Sequence, residues 1–143
     1  MNVYTLPIAL DQVTNMGRDS IAHVGDLKHA IDFDTPEGTP IFAAANGVVI
    51  FVKDDSMVGG VDPAFEHDGN YIEILHAHNE VSEYEHLRHA SAKVNVGDVV
   101  VQGTHIAEVG NTGWSECPHL HFMVYPKDRD SKTLKIRFQD FPL

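Results

Sequence analysis

The feature that most constrains this chain is a series of short β-prone runs separated by Gly, Pro and Asn residues. Such runs, recurring about every 8–12 residues with turn signals between them, are typical of all-β barrels and sandwiches. No segment from Phe33 to Tyr125 has convincing helical periodicity. The sequence therefore predicts a compact antiparallel β barrel or sandwich. Its runs cover residues 30–33, 39–43, 47–52, 71–76, 81–87, 94–101, 104–109 and 120–125.

A turn and a longer loop divide these runs. The turn, near residues 77–80, predicts that the run 81–87 pairs back on the run 71–76 as a hairpin. Residues 54–69 are polar, contain Gly and are interrupted by Pro. We therefore expect them to form a surface loop, of the kind that often rims a binding cleft.

The length of 143 residues fits one domain, 1–143, with a hydrophobic core. The pattern is lost in the first ~20 residues and from Lys127 onward, so both ends are expected to extend a core of about residues 23–125. No apolar run approaches the roughly 18 residues that span a bilayer, so membrane insertion is not expected. The first 15 residues lack a basic start and an apolar core, so we do not expect them to be a signal peptide. We expect the cytoplasm, or the periplasm or cell envelope if a leader has been removed.

The charge balance excludes some partners. Lys and Arg number 10 against 21 Asp and Glu, which gives a formal net charge of -11. This field repels nucleic-acid phosphates and anionic lipid, but it suits a divalent cation and neutral or cationic substrates. Cys117 is the single cysteine, so an internal disulfide is excluded. Ten histidines are unusually many for 143 residues. Their positions matter because histidine is a common zinc ligand and general base.

Two histidines flank Leu120 in the last β-prone run. Residues two apart in a strand point to the same face, so His119 and His121 are expected to be neighbours. Pro118 marks the start of this strand, next to an open end. Two such imidazoles can share a metal, or one can bind it while the other transfers a proton.

A carboxylate and a third histidine strengthen the case for a metal. Asp32 lies in an apolar run, where its charge needs compensation that a zinc ion would supply. His86 lies in the run 81–87, with Ser82 and Tyr84 expected on the same face. Three protein ligands with an open position for water are the arrangement of catalytic zinc.

Four segments together resemble the lysostaphin-type (LytM-like) zinc metallopeptidases, most of which are peptidoglycan endopeptidases. They are KHAIDFDTPEGTPIFAAANGVVI, EYEHL, VNVGDVVVQGTHIAEVGNTG and PHLHFMV, and the resemblance runs from about His23 to Tyr125. It implies a compact antiparallel β fold of the duplicated-hybrid-motif type with a groove across it. It also implies one Zn²⁺ per chain.

The resemblance further implies a role for each site residue. Asp32 and His121 would bind zinc, while His119 and His86 would do the proton and transition-state work. In the expected peptide hydrolysis, His119 takes a proton from water and passes it to the leaving amine. His86 donates a hydrogen bond to the developing oxyanion. Tyr84, expected on the face of His86, would help to position the substrate.

The first zinc ligand departs from the family pattern. Most members have a histidine four residues before the aspartate, where this chain has Lys28, and an ammonium group cannot bind the metal. His29 would point to the opposite face of a regular strand from Asp32. His23 is followed closely by a glycine that can permit a turn back toward the site. We favour His23 and keep His29 as the alternative.

Cys117 stands where relatives usually have glycine. A thiolate there can in principle bind zinc, but Pro118 disfavours regular strand geometry. We therefore expect Cys117 to be a small buried apolar residue.

The expected substrate is the peptide part of peptidoglycan, and this expectation rests on the resemblance alone. The alternative function is a catalytically degenerate module that binds cell-wall peptide or regulates a partner amidase. A third hypothesis is a cytoplasmic metallohydrolase with another substrate. Metal content separates the enzyme from the module.

Overall fold

A computed structural model describes residues 2–17, 28–128 and 133–141. Within those residues the regular elements are β strands and three short 3-10 helices, so the prediction of an all-β fold is confirmed. The strands are β1 (Asn15–Gly17), β2 (Ile31–Asp34), β3 (Pro40–Phe42), β4 (Gly47–Lys53), β5 (Gly59–Gly60), β6 (Tyr71–His76), β7 (Glu80–Glu85), β8 (Val99–Val100), β9 (His105–Glu108), β10 (Gly113–Trp114) and β11 (His119–Pro126). The 3-10 helices are Leu10–Gln12, Pro63–Asp68 and Ala77–Asn79.

Seven strands form one antiparallel sheet in the order β1-β2-β11-β7-β6-β4-β8. Two small sheets accompany it, an antiparallel β3-β9 pair and a parallel β10-β5 pair. The large sheet runs from β1 at one edge to β8 at the other, so the fold is sandwich-like and the barrel is not closed.

The predicted hairpin is present between β6 and β7. The two strands pair from Tyr71 opposite Glu85 to His76 opposite Glu80. The turn between them is the 3-10 helix Ala77–Asn79, which includes a left-handed φ of 61° at His78. This hairpin forms the centre of the large sheet, next to β11.

Alternation along β2 and β11 separates a core face from a polar face. The side chains in the hydrophobic core are Ile31, Phe33, Leu120, Phe122 and Val124. Asp32, Asp34, His119 and His121 alternate with these core residues, so their side chains point the other way. The hydrophobic core thus fixes the face on which the candidate site lies.

Residues near both ends pack into this core. Tyr4, Ile8, Ile136 and Phe138 are all buried within it, and Tyr4 forms a bridge to Phe138. Strand β1 pairs with β2, one of the two strands that carry the candidate site. Residues on both sides of the range 23–125 therefore contribute to the hydrophobic core.

Several strands are shorter than the sequence predicts, including β3 and β9. The run 94–101 contains a strand only at β8, and the run 81–87 is a strand only as far as Glu85. Residues 54–69 include β5 and the 3-10 helix Pro63–Asp68, in which no residue is buried, so they lie at the surface as expected. In the described part of the chain, no helix combines the length and apolar character needed to cross a membrane.

Candidate metal centre and active site

Two Asp–His pairs lie side by side on the polar face of β2 and β11. Asp32 is opposite His121, and Asp34 is opposite His119. The Nδ1 atom of His121 is 3.1 Å from Oδ1 of Asp32, and Nε2 of His119 is 3.8 Å from the same oxygen. The fold therefore brings Asp32 on β2 next to His119 and His121 on β11, although the two strands are far apart in the sequence.

His86 reaches the same face through an irregular backbone. Strand β7 ends at Glu85, and His86 has a left-handed φ of 67°. The centroid of its ring is 4.4 Å from that of His119 and 5.9 Å from that of His121. The strand alternation on which the sequence prediction relied therefore stops before His86.

The prediction that Tyr84 shares the face of His86 is wrong. Tyr84 is 0% exposed, and its hydroxyl accepts a hydrogen bond from the Ala44 amide at 2.9 Å. A second hydrogen bond of 2.9 Å joins it to the Ser82 hydroxyl, and burial raises the pKa of Tyr84 to about 12. A side chain enclosed in the core offers no surface to a substrate, so the substrate-positioning role expected of Tyr84 is not supported.

Carbonyl oxygens orient both catalytic candidates. Nδ1 of His86 donates to the Thr112 carbonyl at 2.6 Å, and Nδ1 of His119 donates to the Cys117 carbonyl at 2.8 Å. Because a carbonyl oxygen can only accept, each neutral ring carries its proton on Nδ1 and its lone pair on Nε2. The Nε2 atom is therefore the one that can accept a proton or bind a cation.

Burial keeps His86 neutral. It is the largest influence, followed by the charge of His119, and together they lower the pKa of His86 to about 4. A neutral ring protonated on Nδ1 accepts a hydrogen bond at Nε2. Donation to an oxyanion, the role that the resemblance implies, requires His86 in its imidazolium form.

Ser115 contacts the ring of His119. Its Oγ atom is 3.0 Å from Nδ1 of His119 and donates to Oδ1 of Asn111 at 2.6 Å. Ser115 belongs to no motif that predicts a site residue. Its only signal is its place four residues before His119, which does not by itself reveal a contact across a turn.

Carboxylates surround His121. Glu85 lies opposite it on β7, with Oε2 of Glu85 3.6 Å from Nε2 of His121. Burial, the largest influence, lowers the pKa of His121, but the hydrogen bond with Asp32 and the charge of Glu85 outweigh it, so the pKa is raised. This environment favours positive charge at the site, either a proton on the ring or a bound cation.

The Asp32 and His121 donor atoms fit zinc. Around a tetrahedral zinc ion with bonds of about 2.0–2.2 Å, two ligand atoms are roughly 3.3–3.5 Å apart. The 3.1 Å between Nδ1 of His121 and Oδ1 of Asp32 is close to that separation, and both donor types are ordinary zinc ligands. A small shift of either side chain would admit the ion.

His23 and His29 are the two candidates for the first zinc ligand. His23 lies outside the described residues. His29 is half-buried, and its backbone amide donates to Oγ1 of Thr133 at 2.9 Å. Lys28, at the position where the family usually has histidine, is exposed. The choice of His23 over His29 therefore remains a prediction.

Cys117 is half-buried, so the expectation of a buried apolar residue is wrong. It lies in the bend before β11, with its Sγ atom within 4.8 Å of a carboxylate oxygen of Asp34. Burial, followed by the charges of Asp34 and Glu116, raises the pKa of its thiol. The side chain is thus accessible, close to His119, and protonated at neutral pH.

The model of peptidase family M23 matches residues 26–133, which include Asp32, His86, His119 and His121. Among curated proteins, the peptidoglycan DD-endopeptidase ShyA of Vibrio cholerae is 31% identical over 104 residues. The match covers 73% of this chain and 21% of ShyA. The chain spans about a quarter or less of the length of the curated relatives it matches first.

Solved structures show the same fold. A zinc-containing peptidase from Vibrio cholerae is 26% identical with a TM-score of 0.66, covering 95% of this chain and 40% of that one. The catalytic domain of lysostaphin from Staphylococcus simulans is 24% identical with a TM-score of 0.61, covering 84% of this chain and 86% of that one. The lysostaphin-like fold expected from the sequence is confirmed.

Proposed function

Since this chain belongs to peptidase family M23, we propose that it is a zinc-dependent metalloendopeptidase that hydrolyses peptide bonds in peptidoglycan. The observation that carries the proposal is the convergence of Asp32, His86, His119 and His121 on one sheet face. A carboxylate and an imidazole with zinc-ligand spacing, next to two further imidazoles, provide both a metal site and proton-transfer groups.

One zinc ion per chain is proposed, bound by Asp32 and His121 with His23 as the third ligand and His29 as the alternative. When bound there, zinc supplies Lewis-acid polarisation of the scissile carbonyl and lowers the pKa of a water ligand to about 7. The 3.1 Å separation of the Asp32 and His121 donor atoms supports this assignment.

His119 is proposed as the general base. Its Nδ1 proton is held by the Cys117 carbonyl, so its Nε2 lone pair can take a proton from the attacking water. The resulting imidazolium can then give that proton to the leaving amine. Asp32, with Oδ1 3.8 Å from Nε2, stabilises the positive charge that His119 carries between the two transfers.

His86 is proposed to act beside His119 on the reacting centre. As a neutral ring it accepts a hydrogen bond at Nε2 and can orient the attacking water. In its imidazolium form, with a proton taken from solvent, it can donate to the developing oxyanion. The hydrogen bond from Nδ1 to the Thr112 carbonyl holds the ring in place through both states.

The substrate class is proposed from relatives. ShyA, at 31% identity, is named as a peptidoglycan DD-endopeptidase. We extend that substrate class, the peptide part of peptidoglycan, to this chain, and with it a location outside the cytoplasm in the periplasm or cell envelope. The net charge of -11 suits a substrate whose free groups are neutral or cationic.

A second candidate function follows from Lys28, which occupies the position of the family's usual first zinc ligand. If neither His23 nor His29 replaces that ligand, the chain is a degenerate module that binds cell-wall peptide or regulates a partner amidase. Such a module would fold without zinc and would release no peptide.

Zinc content and peptide release from purified peptidoglycan test the proposal. We expect one zinc per chain in the wild type, with soluble peptides appearing in mass spectra. Asp32→Ala should lose the zinc and the activity, whereas Asp11→Ala, which removes an exposed carboxylate, should keep both. A folded wild-type chain without zinc and without peptide release would establish the module instead.

A further inference from the structure

A second group of metal-ligand atoms lies next to the proposed zinc site. One carboxylate oxygen of Asp34, Sγ of Cys117 and a ring nitrogen of His119 all lie within 4.8 Å of one another. Asp32 and His121 are not part of this group. We propose that Asp34, Cys117 and His119 form a second site for a thiophilic divalent cation such as Zn²⁺ or Cd²⁺, and that its occupation inhibits the enzyme.

The backbone holds the three residues in place. Asp34 is directly opposite His119 in the β2–β11 pair, so their side chains share a face. The Thr35 amide donates to the Pro118 carbonyl at 3.3 Å, which fixes the bend that carries Cys117 against the end of β2. The group therefore depends on main-chain pairing rather than on three independently mobile side chains.

The donor set matches the chemistry of a zinc-like cation. Thiolate, imidazole and carboxylate are all zinc ligands, and a thiolate favours soft or borderline cations over Mg²⁺ or Ca²⁺. On binding, the Cys117 S–H bond breaks, its proton goes to solvent and a sulfur–metal bond forms. Three protein ligands leave a fourth position for water, and the half-buried Cys117 leaves the site accessible.

His119 already has the orientation of a metal ligand. A histidine that binds a metal through one ring nitrogen usually donates its other N–H to a carboxylate or a backbone carbonyl. Nδ1 of His119 donates in this way to the Cys117 carbonyl at 2.8 Å, so Nε2 presents the lone pair. The hydrogen bond that prepares His119 for proton transfer therefore also prepares it for a cation.

Inhibition follows from the shared histidine, and this step rests on the proposed function. A cation on Nε2 of His119 occupies the lone pair that would accept a proton from water. Because Nε2 is only 3.8 Å from Oδ1 of Asp32, two cations would also lie close enough to repel each other. The second site should therefore fill at higher cation concentration than the first.

Cadmium titration of the full chain tests the site without an activity assay. We expect two Cd²⁺ per chain at saturation, with the ultraviolet thiolate-to-cadmium charge-transfer band growing with the second equivalent. Asp32→Ala should lose the first equivalent and keep the band. Cys117→Ala should bind one equivalent without the band. In Asp34→Asn, the affinity for the Cd²⁺ that produces the band should fall by about tenfold or more, a scale typical of site residues. Glu116→Gln, next to Cys117, should leave that affinity unchanged.

Absence of the band in the wild type would overturn the proposal. The proposal would also be overturned if Asp34→Asn, His119→Ala and the wild type bound the band-producing Cd²⁺ with equal affinity, since Cys117 would then bind cadmium alone.

Excess Zn²⁺ tests inhibition in a separate assay. The rate of peptide release by each protein is divided by its own rate at one zinc per chain. Cys117→Ala should need about tenfold or more zinc for half-inhibition. Equal sensitivity would contradict the inhibitory role, and a chain without peptidase activity would still answer the cadmium question.

Discussion

Nδ1 of His119 donates a hydrogen bond of 2.8 Å to the carbonyl oxygen of Cys117, two residues before it in the chain. This short-range contact fixes the tautomer of the ring and leaves the Nε2 lone pair on the side of Asp32. The backbone of the bend, rather than another side chain, thus provides the main orientation of the proposed general base. Ser115 adds a second contact at the same nitrogen, with its Oγ 3.0 Å away.

Ser115→Ala should lower kcat while leaving zinc content unchanged. The substitution removes the hydroxyl that contacts His119 and Asn111, so the imidazole is held less firmly. Loss of a contact of this kind typically costs about 10–100-fold, and we expect the lower end because the Cys117 carbonyl remains. Steady-state kinetics on a peptidoglycan peptide measures it, with Ser56→Ala as the control. An unchanged kcat would show that the carbonyl alone suffices.

Tyr84→Phe should destabilise the protein without impairing catalysis. The change removes a buried hydroxyl and leaves the Ala44 amide without its acceptor, which should cost about 1–3 kcal/mol in the free energy of unfolding. Urea unfolding measures the loss, and kcat/KM should stay within about twofold of the wild type if Tyr84 is scaffold. A specific rise in KM with unchanged stability would restore the substrate-binding role that the buried position argues against.

Gly113→Ala should be more destabilising than Gly97→Ala. Both glycines have left-handed φ values, 83° and 97°, so both substitutions are strained. A Cβ at Gly97 meets nothing within 4 Å, whereas a Cβ at Gly113 would lie 2.7 Å from the Gly69 Cα. We expect a loss of about 1 kcal/mol for Gly97→Ala and clearly more for Gly113→Ala.

Gly113→Ala should also reduce activity, because Gly113 follows the residue whose carbonyl orients His86. Urea unfolding and peptide-release rates of the two variants provide the comparison. Equal unfolding free energies for the two variants would refute the close approach of Gly113 to Gly69.

His76 should make the fold less stable at mildly acidic pH. Burial, its largest influence, lowers the pKa of His76, and the Asn46 carbonyl at 2.7 Å and the Ser82 hydroxyl at 2.7 Å occupy both ring nitrogens. Because the folded pKa is below the unfolded value of about 6.5, the unfolded chain binds the proton more tightly. The stability that this pKa difference of His76 provides is present above the unfolded pKa, and it is lost as the pH falls toward the folded pKa.

The measurement is the free energy of unfolding in urea at about pH 7.5 and pH 5.5, on either side of the unfolded pKa of histidine. The drop between these conditions should be smaller in His76→Gln than in the wild type. His89→Gln, at an exposed histidine, should show the wild-type drop. A His76→Gln drop equal to that of the wild type would show that the ring titrates alike in both states.

Local sequence patterns predicted much of the fold because strand alternation and turn residues act over short distances. The run 71–76 coincides with β6, and the hairpin with β7 forms at the expected turn. The shared face of His119 and His121 follows from the same alternation, and the structure places Asp32 opposite His121. These relationships need only the period of a strand and one pairing.

The errors arise where the backbone leaves regular geometry. His86 has a left-handed φ although it is not a glycine, so the sequence does not signal the irregularity there. Strand alternation therefore predicted, wrongly, that Tyr84 shares the face of His86. The contacts of Ser115 and Cys117 with His119 depend on a bend before β11, which has no period to detect. The core contributions of Tyr4 and Phe138 are long-range pairings between the ends of the chain, which a single sequence does not reveal.

The rate of peptide release from peptidoglycan by zinc-containing His119→Ala is the most direct test of the account. His119 is proposed to move the proton, and Asp32 and His121 to hold the metal. The variant should therefore keep one zinc per chain while its kcat falls by about 100-fold or more, the usual scale for a general base. A variant that keeps its zinc and cleaves at the wild-type rate would contradict the central claim.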